Sequence, residues 1–397
     1  MTKTIRKYFS GLSKNTILLT LASLFSDIAN EMLYPILPIF LTQTLKASGS
    51  VIGLIEGIAQ ATQNIVQGFS GWLSDKIQKR KSIALIGYLL GAIAKPLIGI
   101  STIWQGVLGT RFLDRLGTGI RSAPRDALIA SSVSQEHRGK AFGLEGIGDN
   151  LGAFLGPLLS IFMLSILMLD MRHIFYLAFI PGILAFIIIL FIKEKPAVVK
   201  AKSKLDTSIR RFPKTYWKYL LVTAVFGIGN SSNSFLILQT QNIGTSLTIT
   251  ILIYAGFNLI AALISYPAGF LSDKFGRKSI LLASFIIFFV TYLGFALTHS
   301  IIHIAVLFIL YGFYQGIFRT VGKALAIDLV PEKLHASGVG WYNTAIGLLG
   351  LAASLVAGLL WDNISHSSVF LYGAVFSIVG GIMLIWLVPS NSHLLNK

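Results

Sequence analysis

Cysteine is absent from the 397-residue chain. That excludes a disulfide framework, a thiolate nucleophile and a Cys-ligated metal. Charge is scarce as well, at 12% of residues, where a soluble domain carries about 25%. Hydrophobic residues make up 54% and the mean hydropathy is +0.73, so the flanks of several helices must face lipid. The seven histidines, His137, His173, His299, His303, His335, His366 and His393, fall in loops, tails or near the ends of apolar runs. None is spaced from an acid as a metal ligand or a triad member would be, and no phosphate-cradling glycine loop is present. An enzyme and an ATP-driven pump are therefore both poor readings, and neither a cofactor nor a metal site is expected. The basic start, MTKTIRKYFSGLSK, precedes an apolar segment too long and too acidic for a signal peptide, with no small-residue cleavage site. It reads as a retained first span.

What the chain has instead is apolar runs long enough to cross a bilayer as helices. Twelve are found, at roughly 16–42, 50–74, 82–102, 105–129, 139–165, 172–192, 217–241, 247–272, 278–297, 301–328, 335–360 and 367–388. The expected fold is an all-α membrane protein of twelve transmembrane helices in two pseudo-symmetric six-helix bundles. The bundles would cover 1–192 and 217–397, with a solvated linker at 193–216 inside the basic stretch KEKPAVVKAKSKLDTSIRRFPKTYWK. Of the 33 Lys and Arg, 24 lie in the N-terminus, the even-to-odd loops and the C-terminus, while the opposite loops hold only Lys46 and Arg172. The positive-inside rule then places both termini and the linker in the cytoplasm of a multi-pass inner (plasma) membrane protein. The net charge of +17 is thus a topology signal, and no nucleic-acid partner is expected.

The two halves repeat one another. GWLSDKIQKRKS at 71–82 matches GFLSDKFGRKS at 269–279, Asn30 falls opposite Asn230, and RSAPRDAL at 121–128 resembles RTVGKALA at 319–326. The offset is about 198 to 200 residues throughout. Parallel six-helix repeats are the pattern of a transporter whose site lies where the halves meet.

These residues resemble the major facilitator superfamily across essentially the whole chain. The family's signature loop stands at Gly269, Asp273, Lys274, Gly276, Arg277 and Lys278. The first copy keeps Gly71, Asp75, Lys76, Arg80 and Lys81, with Gln78 in the glycine place and one extra residue. Span five carries Gly143, Gly152, Gly156 and Pro157 in the order G-x8-G-x3-G-P, similar to the motif of proton-coupled antiporters, without its trailing Gly-Gly. The alternative reading of that motif is ordinary close helix packing. RFLDRLGTGIR at 111–121 resembles the family's span-four motif, which the resemblance links to proton transfer.

Ionisable residues deep in spans concentrate in the first half. Asp27 and Glu31 share a face of span one, Arg111 and Arg115 a face of span four with Asp114 beside them, and Glu145 and Asp149 a face of span five. A bare carboxylate in hydrocarbon costs about 3 kcal/mol or more. Two acids on one face resist ionising together, and a nearby arginine opposes that tendency. Asp27, Glu31, Arg111, Asp114, Arg115, Glu145 and Asp149 are accordingly the proton-coupling candidates, with static ion pairing as the alternative for each. Glu56 could be wet from outside. Lys95, beside Pro96, is expected to snorkel outward.

The second half offers amides and aromatics, which grip polar molecules by hydrogen bonding and stacking. With Asn30, the substrate-binding candidates are Asn230, Asn233, Tyr254, Asn258, Tyr311, Tyr314, Gln315, Trp341 and Asn343. The resemblance implies that Asp75, Arg80, Asp273 and Arg277 act as gating residues, each aspartate meeting the N-terminus of a helix in the opposite half. The expected function is a monomeric, proton-coupled secondary transporter of a polar or zwitterionic small molecule, of siderophore or drug type. Export by proton antiport leads. Symport uptake, uniport and a non-transporting receptor are the alternatives.

Overall fold

The computed structural model describes residues 12–77, 79–134, 137–194, 212–331 and 334–389. Among them every regular element is helical. In lipid each backbone polar group must be satisfied within the spanning segment, and only helices do this without a closed barrel.

A helix lies over each of the twelve predicted stretches. Span one is Lys14–Leu33 followed by Leu37–Ile39 and a π-helical turn, Phe40–Thr44. Spans two to five are Gly49–Ile77, Arg80–Ile100, Trp104–Ser132 and Arg138–Ser165. Span six is split at Ala178 into Met171–Leu177 and Phe179–Leu190, and span seven into Lys214–Gly229 and Ser234–Asn242. Spans eight to twelve are Leu247–Phe275, Arg277–Leu297, Ile301–Asp328, His335–Asn363 and His366–Leu387. Ser13, Ser246 and Ser365 cap spans one, eight and twelve by accepting the N–H three residues on. Asp170 caps span six in the same way, and the His173 N–H holds its carboxyl below the usual carboxylate range. Large apolar side chains such as Ile86, Tyr266 and Trp386 point outward, as lipid-facing residues do.

Ten of the described helical spans are long and apolar enough to cross a membrane. Spans two and four are the two that fall short. Span four carries Arg111, Asp114, Arg115, Arg121, Arg125 and Asp126 along one helix. Helices this polar are tolerated only where their charges are covered by protein or water.

The chain forms two compact units: 1–34 with 65–203, and 35–64 with 204–397. Spans one and two each change unit partway along. The predicted linker falls largely on 195–211, and both chain ends likewise lie outside the described residues.

In the first unit, span five lies against span one through a stripe of glycines. A Cβ on Gly148, Gly152 or Gly156 would come within 2.7, 2.7 and 2.8 Å of the carbonyl oxygens of Thr20, Leu24 and Ile28. Gly143 has nothing within 4 Å, so the packing stripe uses Gly148 where the sequence motif uses Gly143. In the second unit the core is aromatic: Phe226, Phe285, Phe288, Tyr292, Tyr311 and Tyr314 stack in a continuous cluster. Residues 35–64 belong to this unit because they pack on span eleven. A Cβ on Gly53 would lie 2.0 Å from the Ser354 carbonyl oxygen, and one on Gly358 2.5 Å from that of Gly49.

Candidate functional site

The helical stripe of span four repeats polar residues at steps of three and four: Arg111, Asp114, Thr118, Arg121 and Arg125. That stripe faces into the first unit and builds two linked charge networks.

The first network centres on Asp114, which is 1% exposed. Its Oδ1 accepts from Lys95 Nζ at 2.7 Å. Its Oδ2 accepts from Arg111 Nη1 at 3.1 Å and lies 3.5 Å from Arg115 Nε. Lys95 also donates to Asn30 Oδ1 at 2.9 Å and to the Gly91 carbonyl at 3.1 Å. Its ammonium has three donors and all three are used. This overturns the expectation that Lys95 snorkels: at 2% exposure it is turned inward, because a buried carboxylate within reach offsets more desolvation than the bilayer edge could. Arg111 also stacks over the Tyr34 ring, 5.7 Å from its centroid.

The second network centres on Arg125. Its Nη1 lies 2.9 Å from Glu145 Oε1 and 3.6 Å from Asp149 Oδ1, and donates to Ser23 Oγ at 2.9 Å. Ser23 in turn donates to Glu145 Oε1 at 3.1 Å. Arg121 sits over the Tyr88 ring at 4.6 Å.

Asp27 and Glu31 are half-buried on the span-one face covered by span five. A Cβ on Gly152 would lie 2.8 Å from that of Asp27, and one on Gly156 2.9 Å from that of Glu31. The carboxylate pair and the span-five motif, read separately in the sequence, are thus one contact. Asp149, Arg121, Glu31 and Arg125 all act electrostatically on Asp27, so it couples to the Arg125 network. Arg125 and Arg121 were absent from the proton-coupling candidates. The three-and-four periodicity of span four was the signal that would have found them.

Among the substrate candidates, Tyr254, Tyr311 and Tyr314 are 3, 1 and 0% exposed, with their rings in the aromatic core. Tyr311 donates to Asn233 Oδ1 at 2.8 Å. Asn230 and Asn233 flank the break in span seven. Asn258, Gln315, Trp341 and Asn343 are half-buried, with Trp341 edge-on to Trp217 at 6.2 Å. Asn30 stands apart from this group, in the Lys95 network of the first unit.

Of the gating candidates, Asp273 is an exposed partner of Arg277 at 3.5 Å, and Arg277 also pairs with Asp328. Gly276 has φ +89°, a conformation that accounts for the glycine of the signature loop. The Asp75 side chain and Gln78 lie outside the described residues. The Glu194 carboxylate accepts from the Arg80 and Lys81 backbone N–H groups at 2.8 and 3.3 Å, capping span three. The signature lysines play matching parts in the two units. Lys81 Nζ donates to the Leu190 carbonyl at 2.7 Å, at the end of span six. Lys278 Nζ donates to those of Ile385 and Val388 at 2.9 and 2.6 Å, at the end of span twelve. A cation there meets the negative end of the helix dipole.

Comparison with known proteins agrees with this architecture. The Major Facilitator Superfamily sequence profile matches residues 19–237 and 219–397. An uncharacterized MFS-type transporter of Methanocaldococcus jannaschii is 38% identical over 382 residues, covering 95% of each chain. The quinolone resistance protein NorA of Staphylococcus aureus is 23% identical over 375 residues, covering 89% of this chain and 91% of its own. The solved nucleoside transporter NupG superposes with a TM-score of 0.77 at 14% identity, covering 94% of this chain and 99% of its own. A bacterial homolog of the human lysosomal transporter Spinster, inward-facing and occupied, does so with 0.74 at 16%, covering 98% and 97%. The chain is a multi-pass membrane transporter that belongs to the Major Facilitator Superfamily.

Proposed function

We propose that this secondary transporter is coupled to protons and exports a polar or zwitterionic organic molecule, of drug or siderophore type. It works as a monomer in the inner (plasma) membrane, with both termini in the cytoplasm. The observation that carries the coupling is the placement of Asp27 and Glu31. They are half-buried at the glycine contact with span five, and Asp27 lies within the field of Asp149, Arg121 and Arg125.

A proton taken up by one of these carboxylates removes a charge that the arginines otherwise balance. The arginines then lean on Glu145, Asp149 and the remaining acid. The protonated form favours one transport state over the other, and that difference in preference is what lets a proton gradient move the equilibrium. Asp114 is held by three cations and serves as the fixed counter-ion that positions them.

Substrate recognition falls to the second unit, at the break in span seven. Asn230 and Asn233 lie there with Tyr311, and unwound backbone inside a spanning helix points to a transporter's binding site. Span one is interrupted at 34–36, about 196 residues earlier, but Tyr34 and Ile36 keep right-handed helical dihedrals there. The similarity to the quinolone resistance protein of S. aureus supports the outward direction.

The test uses proteoliposomes and a compound selected by thermal stabilisation from polar antibiotics and siderophores. Asp27→Asn and Glu31→Gln keep side-chain volume and remove titration. At least one of them is expected to abolish accumulation driven by a pH difference while counterflow at equal pH continues. If both variants still concentrate the compound on a pH difference alone, the two acids are structural. Accumulation in the direction of proton entry would make the protein a symporter.

A further inference from the structure

A small polar cavity lies inside the first unit, apart from the Arg125 network. Its wall is formed chiefly by Ser26, Asn30, Tyr88, Lys95, Thr118 and Arg121. Two of these are cations and none is a carboxylate. Lys95 and Arg121 are 2% and 5% exposed, and Arg121 and Arg115 both act on Lys95 as like charges. Lys95 is answered by Asp114, but that carboxylate is shared with Arg111 and Arg115. The opposing charge for Arg121 comes from Asp27 through space.

Two polar atoms at this wall are buried without a hydrogen-bond partner, Arg121 Nη1 and the Tyr88 hydroxyl. Tyr88 is 2% exposed, and its ring is the surface on which the Arg121 guanidinium lies. A guanidinium nitrogen can only donate, and a phenol can donate. Leaving such donors buried and unmet is destabilising, more so for the charged one. The space has the size of a single water molecule or small ion. An organic carboxylate or phosphate does not fit in it.

We propose that this cavity binds a small monovalent inorganic anion of chloride size, held by Arg121 Nη1 and the Tyr88 hydroxyl in the positive field of Lys95. The anion supplies the acceptor that both orphaned donors lack and lowers the repulsion between Lys95 and Arg121. A water molecule would satisfy the donors and leave that repulsion in place. The site lies behind Asn30 on span one, three residues from Asp27, so its occupancy adds a fixed negative charge next to the carboxylate face.

The full chain, purified in detergent in sodium gluconate, is titrated with sodium chloride and with sodium bromide at constant ionic strength while its thermal unfolding is followed. A saturable rise in Tm is expected with either halide. Tyr88→Phe, which removes one neutral hydrogen bond, is expected to weaken the apparent halide affinity about fivefold. Arg121→Gln is expected to abolish the rise. Crystals of the wild-type protein soaked in bromide are expected to show an anomalous peak beside Arg121 Nη1, a readout that does not depend on either variant folding. Equal Tm values in gluconate and halide, or a cavity that holds water and no bromide peak, would overturn the proposal.

Discussion

Asp114 shows how a transporter can keep four charges out of water. Lys95, Arg111 and Arg115 converge on one carboxylate that is 1% exposed. Removing one partner of a buried pair strands the rest, at a cost of about 3–5 kcal/mol. Asp114→Asn strands three cations, so its Tm is expected to fall steeply, as followed by tryptophan fluorescence in detergent. Asp126 makes a useful contrast. It pairs with the neighbouring Arg125, but its side chain is 44% exposed, and pairs of that kind contribute at most about 1 kcal/mol. Asp126→Asn is expected to leave the Tm within a degree or two of wild type. Equal losses for the two variants would mean that burial does not set the value of these pairs.

At the scale of the element, the stripe Gly148, Gly152 and Gly156 matters more than the sequence motif that drew attention to span five. Its glycines let span five approach the span-one backbone, which is how helices associate where lipid removes the hydrophobic drive. Gly152→Val would push against the Leu24 carbonyl and the Asp27 Cβ, both within 2.8 Å of an added Cβ. Backbone cannot yield as a side-chain tip can, so a loss of about 1–3 kcal/mol is expected. Gly143→Val meets open space and is expected to be close to neutral. Parallel melts of the two variants decide this, and a Gly143 variant as unstable as the Gly152 one would restore the sequence motif as the packing unit.

For the whole molecule, the cysteine-free sequence makes topology directly testable. Leu205→Cys lies in the basic linker and Met168→Cys in the turn between spans five and six, where Met168 is 81% exposed. In intact cells, a membrane-impermeant maleimide is expected to label position 168 and spare position 205 until the cells are opened. Labelling of 205 from outside would reverse the orientation derived from the Lys and Arg distribution. The assignment of 35–64 to the second unit rests on a helix cap as well as on packing. The Asp362 carboxylate accepts from the Gly49 and Ser50 backbone N–H groups, each at 2.7 Å, so it caps span two from the end of span eleven.

The number of spans, their places, the internal repeat and the family were all legible in the chain itself. Each depends on local composition or on patterns that survive without knowledge of neighbours: a run of twenty apolar residues must be a helix in lipid, and a loop such as GFLSDKFGRKS carries its own signature. The acids of spans one, four and five were legible as candidates for the same reason, since a charge inside an apolar run stands out. Their partners were not. Lys95 looked like a snorkelling lysine because its neighbour in sequence is Pro96, whereas its neighbours in space are Asn30 and Asp114, 65 and 19 residues away. Arg125 looked like part of a repeat and proved to be the hub that joins Ser23, Glu145 and Asp149. Which charge pairs with which is decided by the rotation of each helix about its own axis, and that rotation is set by where glycines allow two backbones to touch.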